Sequence, residues 1–319
     1  LDMKLELCKI NKSFSGKQIL HDVSFRVESG KAMGFLGRDG AGKTTTIRVL
    51  MNVFEPDSGE VLIDGKPFKR RDYKIGYLPE ERGMYAKISI LDQLVYFGEL
   101  KHMSRADAKK SARKWLKRFE LDEYEKKPLE TLSKGNLQKV QILQAVIDDP
   151  DILVLDEPFS GLDPVNAQVL KDLIHEFITK NRLVIFSSHQ MGYVEEFCDD
   201  ITFIQHGRII LSANLKETKR KLGENKLRIR ISGSTLDESQ ALISKFSDIK
   251  VEKDKQSLIV ECLNNKTSNE FLSEIIKHGL PIELFCYYEP SLEDIFIRIE
   301  KSSDIPQIVG NEAGGGIMQ

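Results

Sequence analysis

The sequence of 319 residues is poor in several things, and each shortage excludes something. It has one tryptophan, and aromatic residues make up only 8%. A packed core must therefore rest mainly on aliphatic side chains. Four cysteines, Cys8, Cys198, Cys262 and Cys286, lie far apart. Their spacing fits neither a disulfide framework nor a zinc motif, and suits a reducing compartment. Charge of one sign is also lacking: 47 Lys and Arg face 49 Asp and Glu, a formal net of −2. With no global positive excess, nucleic acid is not an expected partner. The short basic runs at 109–113, 114–118 and 216–221 read as solvated helix faces. No uninterrupted apolar run is long enough to span a bilayer. The first residues show no basic start followed by an apolar core, so no signal peptide is expected. Any work on a membrane would need another polypeptide to supply the membrane part.

What is present describes a folded chain. Hydrophobic residues make up 40% and charged residues 30%, and the length allows two domains. The first part alternates strand-like and helix-like stretches, which predicts an α/β fold. Segments 5–10, 23–27, 61–63 and 74–78 read as strands. Segment 32–36 is an apolar run that ends in a Gly-rich loop, with a helix predicted over 44–51. From 90 to 119 the pattern is helical and highly charged, and a further helix is predicted over 137–147. Segments 152–155 and 183–186 are short apolar runs between polar residues, as in buried parallel strands. Residues 201–211 read as a hairpin turning at His206-Gly207. After about Lys221 the character changes. Strands at 226–231, 249–252, 257–262 and 281–287 are interleaved with helices at 238–246 and 269–278, and a last helix covers 292–300. The order β-α-β-β-α-β predicts a small α+β domain of ferredoxin-like type. The expected division is 1–220, with a helical subdomain at about 84–148, then 221–303, then a Gly-rich disordered tail at 304–319.

Three motifs carry chemistry. Gly37-Arg38-Asp39-Gly40-Ala41-Gly42-Lys43-Thr44 fits G-x-x-x-x-G-K-[ST]. Glycines let the backbone curl so that its N–H groups face phosphate oxygens. The following helix directs its positive dipole end at the same charge. Lys43 then reaches the terminal phosphates, and the Thr44 hydroxyl suits Mg²⁺. In Ile152-Leu153-Val154-Leu155-Asp156-Glu157-Pro158 an apolar strand ends in two carboxylates. Alone, that is an ordinary acidic strand end. Beside a phosphate loop, Asp156 suits the metal's water shell and Glu157 the polarisation of an attacking water. Between the two lies Leu132-Ser133-Lys134-Gly135-Asn136, a second candidate anion site. By itself such a turn is usually just a helix cap.

Taken as a series over about residues 3–215, these motifs resemble the nucleotide-binding subunit of an ABC transporter. The resemblance implies a P-loop NTPase core of ABC type: an antiparallel β subdomain, a parallel-sheet core and a helical subdomain. It also implies ATP and Mg²⁺ as ligands. Gly37, Arg38, Asp39, Gly40, Ala41, Gly42, Lys43, Thr44 and Thr45 would form the Walker A site, with Phe14 stacked on adenine. Asp156 and Glu157 match the Walker B pair, and Thr44, Asp156 and Glu80 would be the metal residues. Glu157, His189 and Lys43 would be the catalytic ones. Ser133, Lys134, Gly135 and Asn136 stand in the signature, which acts on the nucleotide of a second subunit. Asp163, in Ser160-Gly161-Leu162-Asp163, matches the D-loop, and His189, in Ser187-Ser188-His189, the switch histidine. Alone, Phe14 would read as a core aromatic and His189 as a surface histidine.

The implied partners are a second copy or a paralogous ATPase subunit, and a multi-spanning membrane permease. The implied location is the inner face of the cell membrane. Five positions depart from the family's usual residues. Glu80 stands for glutamine, Arg38-Asp39 for Pro-Asn and Lys134 for glycine, and Leu137 stands where glutamine is common. The wording at 78–83 and 288–296 resembles the bacterial sodium-extrusion type of export ATPase, whose members carry an extra C-terminal domain. Two other readings stay open: a soluble regulatory ATPase of ABC type, and a nucleotide-gated binding module with slow hydrolysis.

Overall fold

The computed structural model describes residues 2–80 and 83–301. The tail expected at 304–319 lies outside the described residues. The chain forms two compact units, the first running through Leu215 and the second beginning at Lys216.

In the first unit, β1 (Lys4–Phe14) and β2 (Lys17–Glu28) form a hairpin. Its turn residues, Ser15 and Gly16, have φ of 48° and 80°. Two successive positive φ values give the tight turn whose twist matches the flanking strands. The strands thus run longer than 5–10 and 23–27. Next come β3 (Ala32–Leu36), α1 (Lys43–Leu50), β4 (Ser58–Ile63), β5 (Lys66–Pro67) and β6 (Ile75–Leu78). The helical stretch expected over 90–119 is two helices, α2 (Ile90–Leu100) and α3 (Arg105–Arg118). The break has a local cause. His102 takes a φ of 65°, and Ser104 caps the new helix by accepting from Asp107 N at 3.1 Å. The next helix, α4 (Lys134–Val146), starts three residues before the expected Leu137, because Ser133 is its N-cap.

The remaining elements of this unit are β7 (Ile152–Asp156), α5 (Pro164–Thr179), β8 (Leu183–Ser187), α6 (Met191–Phe197), β9 (Asp200–Gln205) and β10 (Arg208–Asn214). Helix α7 (Leu215–Leu222) carries the chain across the division. Two sheets result. One is antiparallel, in the order β2-β1-β4-β5. The other has the order β10-β9-β3-β8-β7-β6, with β9, β3, β8, β7 and β6 mutually parallel. Every residue of β3, β7 and β8 is buried, as their continuous apolar runs require. Gly76 lets α4 approach β6: a Cβ there would lie 2.4 Å from the Ala145 carbonyl.

The second unit contains β11 (Lys226–Ile231), α8 (Leu236–Ile243), β12 (Ile249–Asp254), β13 (Ser257–Cys262), α9 (Ser268–Lys277), β14 (Ile282–Tyr287) and α10 (Leu292–Lys301). Its sheet is antiparallel, in the order β12-β13-β11-β14. This is the small α+β domain that the β-α-β-β-α-β order predicts. Thr235 and Thr267 begin its two central helices with capping boxes. It has its own core, in which Leu227, Ile229 and Ile231 pack with Ile243, Phe271 and Ile275.

Candidate functional site

The first element of the site is the turn from β3 into α1. Gly40 and Gly42 take φ of 74° and 111°, where a side chain would strain the backbone. Gly42 is also crowded: a Cβ would lie 2.9 Å from Leu20 and 3.2 Å from Ile204. Two bonds brace the turn, from Ala41 N to Arg38 O at 3.1 Å and from Thr46 N to Gly42 O at 2.9 Å. Thr46 adds a third from its hydroxyl to Gly42 O at 2.9 Å. The Lys43 ammonium is buried and arches back over the loop, donating to Gly37 O at 2.7 Å and Arg38 O at 3.1 Å. Thr44 and Thr45 are half-buried in the first turn of α1, while Arg38 and Asp39 are exposed.

A neighbouring hairpin props this loop from behind. The turn of β9 and β10 has φ of 48° at His206 and 72° at Gly207. Gly207 N donates to Ala41 O at 2.9 Å, and Gly207 O accepts from His21 N at 2.8 Å. The Ala41–Gly42 peptide is planar and trans, so fixing its carbonyl also fixes the direction of the Gly42 N–H.

The second element is the end of β7 beside the end of β8. Asp156 is 2% exposed, and burial pushes its carboxyl above the ordinary range, against the lowering pull of the Ser187 bond. Ser187 Oγ donates to Asp156 Oδ1, and Thr44 also hydrogen-bonds this carboxylate. Asp156 Oδ2 is buried and has no hydrogen-bond partner among the described residues. The Glu157 carboxyl is likewise raised by burial. Its Oε2 lies 2.9 Å from His189 Nδ1. The Glu157 backbone has a φ of 50°, stabilised where its N–H meets Ser187 O and Ser187 Oγ, each at 3.2 Å. The Lys43 ammonium pulls on both carboxylates, and Glu80 pushes Asp156 upward. The two strand ends, the loop lysine and Glu80 therefore share one electrostatic site. Glu80 itself sits in an exposed bend after β6.

The 133–136 segment is the N-terminus of α4. Ser133 Oγ accepts from Asn136 N at 3.3 Å. Lys134, Gly135 and Asn136 thus lie in the first helical turn, and Ser133 and Lys134 are exposed. Asp163 caps α5 in the same way, accepting from Asn166 N at 2.9 Å. Phe14 ends β1 with its ring edge-on to Phe54 at 5.0 Å, and the residue is 38% exposed. That makes it an aromatic with an exposed surface, unlike a core residue.

Sequence reasoning missed Ser187, Tyr77 and Gly207. Ser187 is fully buried at the end of an apolar strand, and that mismatch was the available signal. Tyr77, on β6, is pushed up to about 12 by burial and by Asp156, and it bonds Arg48 of α1. Gly207 lay in plain view as a hairpin glycine, but its bond to the phosphate loop depends on tertiary placement.

Comparison with known proteins agrees with this geometry. Residues 20–160 match the family model described as ABC transporter. Residues 214–299 match a second, described as ATP-binding protein DrrA1-3-like, C-terminal domain. The chain is 37% identical over 295 residues to the uncharacterized ABC transporter ATP-binding protein YhaQ of Bacillus subtilis (strain 168), covering 92% of this chain and 97% of that one. This chain belongs to the ABC transporter ATP-binding proteins. A second relative of the family, the linearmycin resistance ATP-binding protein LnrL of the same organism, is 27% identical over 304 residues. The match covers 92% of this chain and 97% of that protein. A solved ABC structure, cbiO1 from Clostridium perfringens, described as part of the ABC transporter complex cbiONQ, aligns with a TM-score of 0.58 at 26% identity. It covers 67% of this chain and 89% of the other.

The residues present suit the ligands of this ABC family. The Asp156 Oδ2 acceptor and the Thr44 hydroxyl are hard oxygens beside a phosphate loop. Mg²⁺ is commonly held by one or two carboxylates together with substrate phosphates. Among the described residues, no helix is long and apolar enough to cross a membrane.

Proposed function

We propose that this chain binds and hydrolyses ATP to drive export through a separate membrane permease. One observation carries the reading. A buried carboxylate, Glu157, lies within the field of the phosphate-loop lysine and 2.9 Å from an exposed histidine, His189. In this reading Gly37–Gly42 N–H groups and Lys43 bind the phosphates. Phe14 stacks on the adenine. Thr44, Asp156 and Glu80 would hold Mg²⁺, which supplies charge neutralisation at the phosphates. Glu157 orients and polarises the attacking water, helped by a carboxyl whose proton affinity burial has raised. His189 fixes the Glu157 carboxylate and reaches the terminal phosphate.

Turnover needs two subunits. The exposed Ser133 and the half-buried Gly135 and Asn136 at the start of α4 offer a hydroxyl, N–H groups and a dipole end. They cap the ATP of a second subunit, with Lys134 and Asp163 at the same contact. Closure on ATP and opening after hydrolysis form the mechanical stroke. The unit from Lys216 serves to stabilise the dimer. The complex sits at the inner face of the cell membrane through the permease. Export is favoured by the resistance role in the name of LnrL and by the likeness of 78–83 and 288–296 to sodium-extrusion ATPases.

The test uses the Glu157→Gln protein, in which ATP is bound but not cleaved. It should dimerise at saturating ATP and magnesium, as read by light scattering. A protein that stays monomeric there defeats the shared-site reading. Turnover of the parent with and without its co-purified permease then tests the coupling.

A further inference from the structure

Helix α4 does more than present Ser133 at its exposed end. Gln138, near its start, is 1% exposed. Its Nε2 donates to the carbonyl of Pro158 at 2.9 Å, and Pro158 directly follows Glu157. Its Oε1 is buried without a hydrogen-bond partner among the described residues. An apolar side chain of similar shape would only trade that unmatched acceptor for an unmatched Pro158 carbonyl, so stability alone gives little reason for an amide here.

A second contact lies one turn earlier on the same helix. A Cβ on Gly135 would stand 3.4 Å from Asn166 Nδ2, so the Asn166 side chain lies against the start of α4. Asn166 Nδ2 in turn donates to Asp163 Oδ2 at 2.6 Å. Helix α4 therefore touches the loop from Glu157 to Asp163 directly at Pro158 and reaches its far end, Asp163, through the Asn166 side chain. The loop is also tight within itself, with Ser160 N bonded to Glu157 O and Leu162 N to Phe159 O, each at 3.3 Å. On its far side Phe159 is buried and stacks on Tyr193 of α6 with ring centroids 4.1 Å apart. A loop so compact moves as one piece when either support moves.

We propose that Gln138 is a positioning residue that ties the signature helix to the hydrolytic loop of its own chain. Docking of Ser133 and Gly135 on the partner's nucleotide then sets the place of Glu157 in cis. Each site is told, through α4, that the other is closed. This rests on the shared-site reading above.

The decisive experiment replaces Gln138 by methionine in the full chain, which keeps length and burial but removes the donor. The kcat of ATP hydrolysis should fall about tenfold while KM stays within about twofold, the pattern of an interaction needed in the transition state rather than for binding. The melting temperature should stay within about 4 °C, because a single unmatched acceptor is traded for an unmatched carbonyl. An unchanged kcat overturns the proposal, as does a parallel loss of kcat, ATP affinity and melting temperature.

Hydrogen exchange on the Glu157→Gln chain gives a second test that needs no change at Gln138. Peptides covering 133–141 and 157–163 should gain protection at the same ATP concentration. Separate midpoints overturn the link. The two readings fail differently: a Glu157→Gln chain that does not dimerise removes the shared site and this proposal with it. A chain that dimerises while Gln138→Met keeps full kcat removes only the link.

Discussion

Glu157 carries two separate costs. Its backbone has a φ of 50°, and burial raises the proton affinity of its carboxyl. An ionised, desolvated carboxylate in a strained backbone is useful for polarising water and unfavourable for folding. Glu157→Gln should therefore lower kcat by about 100-fold or more, as loss of a general base does. It should also raise the melting temperature at neutral pH. The sign follows from linkage. The folded-state pKa lies above the ordinary value of 4.5, so the parent loses stability as pH rises between the two. The gap in melting temperature should be widest above the raised pKa and close as pH falls toward 4.5. Calorimetry across that range checks it, and a gap independent of pH would assign the gain to another cause. That Glu157 and Lys43 belong to one candidate site was legible in the sequence because motif spacing carries it. Ser187 was not, because its value lies in meeting Asp156 across two strands 31 residues apart.

Hairpins and helix ends decide where the site residues stand. The β9–β10 turn supports the phosphate loop through one backbone bond, and Gly207 has no room for a side chain. A Cβ there would lie 1.9 Å from the Ile19 carbonyl, at a φ of 72°. Gly207→Ala should cost about 2 kcal/mol or more in stability and weaken ATP binding, read by denaturant melts and by nucleotide titration. At the α4 terminus, Ser133→Ala removes the cap and should cost about 1 kcal/mol. It should also raise the ATP concentration needed for dimerisation of the Glu157→Gln chain. A stability loss with an unchanged dimer midpoint would leave Ser133 as a cap alone. The start of α4 illustrates what sequence pattern blurs. The sequence predicts a helix from Leu137, after the Ser133–Asn136 turn, whereas the hydroxyl of Ser133 starts it three residues sooner.

At the scale of the whole molecule, each unit has buried apolar clusters of its own, among them one around β1, β2 and β3 in the first and one around β11, Phe271 and Ile275 in the second. Separate cores predict separate unfolding. Calorimetry should resolve two transitions, with ATP and magnesium raising only the one that belongs to the first unit. A single transition moved as a whole would show the units to be energetically fused. The proposed shared site adds a second expectation at this scale. Specific ATPase activity should rise with protein concentration until the dimer is saturated, and a flat profile would argue against it.

The sequence by itself determined the local chemistry. G-x-x-x-x-G-K-[ST] spacing, buried apolar strands ending in carboxylates, and the β-α-β-β-α-β order are short-range patterns, and short-range physics enforces them. It also determined the departures at Arg38, Asp39, Glu80 and Lys134. Only tertiary structure decided which distant groups meet. It brought Ser187 and Thr44 to Asp156, His189 to Glu157, the Gly207 N–H to the phosphate loop, and Gln138 to Pro158. Each of those contacts joins separate strands, helices or loops. Such pairings follow from the order of strands in a sheet and the seating of helices on it, and no local spacing records either.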